Sequence, residues 1–222
     1  MAIILEYITS LFGIVEIATL LAAIFLLGKS PNKKWRFFIY YMALVVVVEV
    51  IGTYAKLNMI YSLNYIVYNI LLAVQISFFI KILYSFNYFK KEKWVLPSLL
   101  FLLYAVFINE LRIGNWVSYC SNTKFLLGFV CTILCCTFFY GIMQKDETID
   151  LIKYPKFWIA VGLLAFSFGS AVIFAFYHSI ALQKTNGHAF VFKIVMGTLS
   201  NILYISWIIA FLCQKNHHKS PS

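Results

Sequence analysis

The chain has 222 residues, of which 63% are hydrophobic and only 12% are charged, and its mean hydropathy is +0.87. Soluble domains carry about 25% charged residues, so this composition excludes an ordinary soluble globular protein. The formal net charge of +10 would suit a nucleic-acid partner, but the basic residues lie in short loops beside apolar segments. Loop charges of this kind orient spans and meet anionic lipid, so we expect the lipid bilayer, and no nucleic acid, as a partner.

Seven apolar segments follow one another along the chain, each long enough to cross a hydrocarbon core of about 30 Å as a helix. They cover residues 3–27, 37–57, 60–84, 95–111, 125–143, 157–182 and 189–213. The first segment has no basic residue before Lys29, so it does not read as a cleaved signal peptide. The sequence therefore predicts an all-α fold, an integral membrane seven-transmembrane-helix bundle in which residues 1–222 form a single domain.

The basic residues between the segments are divided unequally between the two predicted faces of the membrane. One face has 12 Lys and Arg residues: Lys29, Lys33, Lys34, Arg36, Lys90, Lys91, Lys93, Lys145, Lys153, Lys156, Lys215 and Lys219. The other face has 4: Lys56, Arg112, Lys124 and Lys184. Because an excess of Lys and Arg marks the cytoplasmic side, the sequence predicts that the N-terminus is outside and the C-terminus is cytoplasmic.

Two carboxylates lie well away from the ends of the predicted spans, and an ionisable side chain costs about 2.5–3.5 kcal/mol at the bilayer centre. Glu16 falls near the middle of the first span, and Glu49 falls in the outer half of the second, within the run VVVVEV. A buried carboxyl group needs a polar partner or stays protonated. We therefore predict that Glu49 faces the bundle and pairs with His178 or Lys193, which lie at a similar depth.

Other polar residues share the outer half or the midplane with Glu49. An aromatic wall with a few converging polar groups is typical of small-molecule pockets, and the sequence predicts such an outward-facing site. Its lining residues are Glu49, Tyr65, Asn69, Gln75, His178, Lys193 and Tyr204. A second interpretation stays open, in which these groups only join helices through hydrogen bonds of about 0.6 kcal/mol each.

The residue patterns of known membrane enzymes and cofactor proteins are missing. Cys131 and Cys135 share a helix face at i, i+4, but no His or second Cys pair completes a metal site. Lys193 lies at the outer end of the seventh span, whereas a retinal Schiff-base lysine lies near the middle of a span. We therefore predict no catalytic residue, no metal and no cofactor.

Three segments carry a resemblance to a known group of proteins. They are YNILLAVQISFF in the third span, YPKFWIAVGLLAFSFG before and in the sixth, and NILYISWIIAFL in the seventh. Together they resemble small seven-span membrane proteins of Bacteroidetes-type bacteria, which are similar to the membrane-embedded input half of some histidine kinases. The resemblance implies a multi-pass protein of the bacterial inner membrane. It also implies a carboxylate at the position where this chain has Gln75.

The leading interpretation is a membrane-embedded sensor or receptor-like input subunit without an output domain of its own. It would recognise a small-molecule ligand and act through a cytoplasmic signalling protein at loops 85–93 and 144–156. The alternative is a small-solute or proton-coupled transporter that uses the intramembrane carboxylates Glu16 and Glu49. A lipid-modifying membrane enzyme is a third interpretation, for which the sequence offers no catalytic constellation.

Overall fold

A computed structural model describes residues 11–28, 30, 33–86, 94–144, 150–176 and 186–217. Within these ranges only the backbone is described for residues 11, 12, 33, 186–193 and 217. The described part of the chain is helical and contains no β-strand. The predicted all-α class is therefore confirmed for this part of the molecule.

Seven α-helices follow one another in the order that the apolar segments predict. They are α1 (Leu11–Leu27), α2 (Lys33–Leu57), α3 (Tyr61–Phe86), α4 (Val95–Ile113), α5 (Ser121–Met143), α6 (Pro155–Ala175) and α7 (Asn186–His217). A short 3₁₀ turn, Leu151–Lys153, precedes α6. Pro155 opens α6 at a position where its missing N–H leaves no intrahelical bond unmade.

Six of these helices, α2 to α7, are long and apolar enough to cross a membrane, judged by length and composition. The described part of α1, Gly13–Leu27, is equally apolar in character but shorter. The secondary structure of the described residues is thus all-helical, and six helices of this kind indicate a multi-pass membrane protein.

The helices form a ring of six with one helix outside it. Neighbours in the ring pack in the order α1, α2, α3, α5, α6 and α7, and α7 closes the ring against α1. Helix α4 packs on the outer surface of α3 and α5. It accordingly buries one narrow stripe, Leu103, Phe107 and Leu111, at a spacing of four residues.

Glycines allow the closest approaches between helices. A Cβ atom added at Gly128 of α5 would lie 2.7 Å from the backbone oxygen of Ser167 in α6. One added at Gly162 of α6 would lie 2.9 Å from the Cβ of Ser206 in α7. Small residues at membrane helix interfaces permit this close backbone packing, so α5, α6 and α7 form the most tightly packed side of the ring.

Aromatic rings fill the centre of the bundle. Tyr41 of α2 stacks on Phe78 of α3 with ring centroids 4.1 Å apart and the ring planes 3° from parallel. Trp207 of α7 is fully buried and lies within 6.3 Å, centroid to centroid, of Phe38, Tyr41, Phe78 and Phe79. Helices α3 and α7 therefore meet through side chains across the ring, with no lipid between them.

We call the end of the bundle with the α1–α2, α3–α4 and α5–α6 connections the basic end, because most loop Lys and Arg residues fall there. The other end is called the opposite end. The two largest differences from the predicted boundaries at the opposite end are that α5 begins at Ser121 instead of 125 and that α6 ends at Ala175 instead of 182. The first difference arises because Lys124 is a charged residue that the helix nevertheless buries.

Candidate functional site

A polar network joins three helices in the interior of the bundle. The ammonium group of Lys124 in α5 donates a hydrogen bond to the Oε1 atom of Gln75 in α3 at 2.7 Å. The Nε2 atom of Gln75 donates to the phenol oxygen of Tyr41 in α2 at 3.2 Å. At 1.5 Å rise per residue, Gln75 lies about 21 Å from the Tyr61 end of α3 and about 16 Å from its Phe86 end. The network is therefore near mid-height in the bundle.

Lys124 is buried, with a relative exposure of 5%. Its ammonium group also lies over the ring of Phe166 in α6, 4.9 Å from the ring centroid. Among the described residues no carboxylate forms an ion pair with Lys124. An amide oxygen and an aromatic ring stabilise a cation less well than water does. Burial of this lysine therefore costs free energy, as expected for a residue with a function.

The sequence analysis placed Lys124 in an outer loop, and this assignment was wrong. Because α5 begins one turn earlier than predicted, Lys124 belongs to the helix, on the face that is turned toward the bundle. A signal was available in the sequence: Lys124, Gly128, Cys131 and Cys135 recur at spacings of three and four residues, which places them on one helix face. All four residues on that face are buried. A lysine in a loop would not be followed by small and apolar residues at helical spacing.

The connection between α4 and α5 is bound to Asn69 of α3 just before the helix that carries Lys124. The Nδ2 atom of Asn69 donates to the backbone oxygen of Ser118 at 2.9 Å, and the Oδ1 atom of Asn69 accepts from the N–H of Cys120 at 3.1 Å. Asn69 lies about 12 Å below the Tyr61 end of α3. The loop therefore reaches about that depth, and the predicted site residue Asn69 holds it there.

Glu110 fixes the other side of this loop by capping α5. Its Oε1 atom accepts a hydrogen bond from the N–H of Asn122 at 2.9 Å, and its Oε2 atom accepts from the N–H of Thr123 at 2.9 Å. The hydroxyl of Thr123 donates to the same Oε2 at 2.8 Å. Carboxylate oxygens stabilise the unpaired N–H groups and the positive dipole at a helix N-terminus. The sequence did not indicate Glu110 as a functional residue, because its carboxylate oxygens accept hydrogen bonds from N–H groups of a different helix.

Cys120 lies at the end of the loop, just before α5, and is buried. Burial, together with the nearby Glu110, raises the pKa of its thiol to about 12. At neutral pH this thiol is therefore protonated, and a protonated thiol is a poor nucleophile. Cys120 is a packing residue in this arrangement.

A second polar contact joins α2 and α3 nearer the opposite end. The phenol of Tyr68 donates a hydrogen bond to the Oε2 atom of Glu49 at 2.7 Å. Gly52, one turn along α2, makes room for the phenol: an added Cβ would lie 2.9 Å from the Oη of Tyr68. The sequence predicted His178 or Lys193 as the partner of Glu49, and both side chains lie outside the described residues.

The other carboxylate that the sequence predicted within a span, Glu16 in α1, is buried. It interacts electrostatically with Tyr41 and with Tyr68. Glu16 thus lies near both polar groups, since Tyr41 belongs to the Lys124 network and Tyr68 bonds to Glu49.

The predicted lining residues are distributed among several contacts. Glu49, Asn69 and Gln75 have different polar partners, as described above. Tyr65 is half-buried, and Tyr204 is buried beside Trp207 with ring centroids 6.0 Å apart. His178 and the side chain of Lys193 lie outside the described residues.

A cleft opens at the basic end, between α2, α3 and α6. Its volume is about 130 Å³. The walls are mostly aromatic or aliphatic, and two lysines stand at its rim. The lining residues are Lys34, Trp35, Phe38, Ile82, Ser85, Phe86, Lys156 and Ile159.

No protein-family model, curated protein or solved structure matches the chain. In the described part of the chain, no group of three or more His, Cys, Asp or Glu side chains is placed to hold a metal ion. The chemistry of the interior is that of hydrogen bonds and buried charge, carried by Lys124, Gln75, Tyr41, Glu49 and Tyr68.

Proposed function

We propose that this protein is a membrane-embedded sensor or receptor-like input subunit that acts through a cytoplasmic partner. In this proposal all seven helices cross the bacterial inner membrane, the N-terminus is outside, and the basic end is cytoplasmic. The loop charges support this orientation because an excess of Lys and Arg marks the cytoplasmic side. The resemblance to kinase input segments agrees with a signalling protein as the partner.

The observation that carries the proposal is the position of Tyr41. Its phenol oxygen accepts the hydrogen bond from Gln75, and its ring stacks on Phe78. One residue therefore belongs both to the Lys124 network and to the aromatic cluster. A change in the network that moves Gln75 would displace Tyr41, and in a close-packed interior such a shift is passed to the neighbours.

The aromatic cluster continues from Tyr41 toward the basic end. Phe38, one turn from Tyr41 on α2, lies 5.1 Å from Phe78 and 5.1 Å from Trp207, centroid to centroid. Phe38 also lines the cleft, together with Phe86 and Lys156. Phe86 ends α3 and Lys156 lies in the first turn of α6, so the cleft adjoins loops 85–93 and 144–156, the proposed docking segments.

The input would come from the opposite end. The loop held by Asn69 leads directly into the first turn of α5, which carries Lys124, so a ligand that displaces this loop would also move the partner of Gln75. The proposed ligand site keeps the residues named from the sequence: Glu49, Tyr65, Asn69, Gln75, His178, Lys193 and Tyr204.

Site-specific photo-crosslinking in cells tests the proposal. A photo-reactive residue at Phe86 or Gln144, at the basic end, should give one discrete adduct with a cytoplasmic protein. The matched control at Met59, an exposed position at the opposite end, should give none. The adduct should also change in yield when Lys124→Met alters the network in a protein that is still folded. Adducts of equal yield from both ends would contradict the proposal.

A specific observation also favours proton-coupled transport as a second candidate. Tyr68 bonds to Glu49 and lies close enough to Glu16 to feel its charge, so one phenol is near both carboxylates. Reconstitution into vesicles separates the two functions. Solute-dependent proton flux that is lost in both Glu16→Gln and Glu49→Gln would support the transporter and overturn the sensor.

A further inference from the structure

We propose that the cleft at the basic end binds the phosphate headgroup of an anionic phospholipid. The proposal requires only that the helices cross a membrane, so it holds whether the protein is a sensor or a transporter. It rests on the shape of the cleft, its position and its charge.

The cleft lies at the level along the helices where lipid headgroups would lie. Its walls come from the first turns of α2 and α6 and the last turn of α3, where apolar helix surface gives way to polar loops. Trp35, Phe38 and Phe86 form the aromatic part of the wall. Aromatic rings with this placement are typical of the membrane–water interface.

The charge of the cleft is positive. Lys34 reaches it from α2 and Lys156 from α6, so two cations from different helices converge on one opening. The ammonium group of Lys156 is oriented by two rings, lying 5.7 Å from the centroid of Phe86 and 5.9 Å from that of Tyr154. Among the described residues that line the cleft there is no Asp or Glu. Basic pockets between transmembrane helices on the cytoplasmic side bind anionic lipid headgroups in this way.

The size of the cleft limits what can enter. A volume of about 130 Å³ is similar to that of an engineered protein cavity of about 150 Å³ that holds one benzene molecule. A phosphate group with its ester oxygens fits this space, whereas a nucleotide does not. The hydroxyl of Ser85 donates to the backbone oxygen of Ile82 at 2.8 Å and can still accept a hydrogen bond from a headgroup hydroxyl. The acyl chains would remain outside, along the apolar surface of the helices.

Binding to the full-length protein in detergent micelles tests the inference. The probes are phosphatidylglycerol, phosphatidylcholine, inorganic phosphate and a poly-glutamate peptide, with bound lipid counted by native mass spectrometry. The double variant Lys34→Gln with Lys156→Gln removes both cations of the cleft. The matched control, Lys153→Gln with Lys215→Gln, removes two exposed lysines from the same end and leaves the cleft intact.

We expect phosphatidylglycerol to bind more tightly than phosphatidylcholine. Each lysine of the cleft should contribute about fivefold, so the cleft double variant should lose about 25-fold in affinity and the control much less. Ser85→Phe keeps both lysines but fills the cleft, and it should also abolish the preference for the anionic lipid.

Three results would overturn the inference. Equal losses in the two double variants would mean that the attraction is spread over the whole basic end. Unchanged lipid preference in Ser85→Phe would mean that the lipid binds elsewhere. Binding of inorganic phosphate or of the acidic peptide that depends on Lys34 and Lys156, with no such dependence for phosphatidylglycerol, would assign the cleft to a free anion or to a protein partner.

Discussion

Lys124 and Gln75 form a hydrogen bond of 2.7 Å in the interior of the bundle, between an ammonium group and an amide oxygen. The two residues differ in the other partners that they have. Gln75 has a second partner in Tyr41, whereas Lys124 otherwise lies against the ring of Phe166. Loss of the amide would strand a buried cation, and loss of the cation would leave an amide that keeps one bond.

This inequality predicts the order of stability in a double-mutant cycle. Gln75→Leu should lower the free energy of unfolding by about 2–3 kcal/mol, because a hydrogen bond to a buried charged group is lost. Lys124→Met, which keeps the side-chain length without the charge, should cost much less. Combining Lys124→Met with Gln75→Leu should restore much of the loss, measured by thermal unfolding in detergent. A Lys124→Met variant less stable than Gln75→Leu would contradict this.

The contact between Glu49 and Tyr68 predicts a different pattern. Glu49→Gln keeps a carbonyl oxygen that can accept from the phenol, so it should fold with nearly unchanged stability. Tyr68→Phe removes the donor and should cost about 0.6 kcal/mol, and not more than about 1.7. Gly52→Ala should act like Tyr68→Phe, because its Cβ would displace the phenol. Strong destabilisation by Glu49→Gln would instead indicate the ion pair with Lys193 that the sequence allowed.

The cap that Glu110 provides to α5 predicts a linked effect on stability and on Cys120. Glu110→Ala should cost about 0.5–2 kcal/mol, as other cap losses do, and it should loosen the loop that buries Cys120. In a variant where Cys120 is the only cysteine, maleimide should label the wild-type position slowly at pH 7, because burial raises the pKa of that thiol to about 12. Glu110→Ala should accelerate labelling, while Glu110→Gln, which retains an acceptor oxygen, should do so less. Fast labelling of the wild-type protein would refute the burial of Cys120.

The proposed topology predicts the result of labelling from the two sides of the membrane. Single cysteines at Lys33 and Lys184, in an otherwise cysteine-free chain, should react with an impermeant maleimide on opposite sides. Lys184 should react in intact cells and Lys33 only after the membrane is opened. Equal labelling of both positions from outside would contradict the proposed topology.

Much of the architecture could be predicted from the sequence because it depends on local properties. The length and apolarity of each segment predict a helix, and six of the helices are long enough to span a bilayer. The ends were less predictable: α5 starts at Ser121, inside a stretch that looked like a loop, because burial of Lys124 depends on Gln75 in another helix. Cys131 and Cys135, which share a helix face in the sequence, are both buried in the core.

In the candidate site, too, the sequence predicted some features and not others. The sequence identified Gln75, Asn69 and Glu49 as polar groups at unusual depth, since each interrupts an apolar helix. It did not identify their partners, Lys124, the backbone of Ser118 and Tyr68, because these come from elements distant in the chain. Glu110 was overlooked for the same reason: a residue near the end of α4 gives no local indication that it caps α5.

The sequence by itself determined that this chain is helical and built for a membrane, because hydrophobicity and segment length are additive along the chain. Only the tertiary structure decided which helices touch, that α4 lies outside a ring of six, and that Lys124 lies inside it. These features depend on how side chains from different helices fit together. Packing of Tyr41 against Phe78, or of Gly128 against Ser167, has no counterpart in the composition or periodicity of either helix alone.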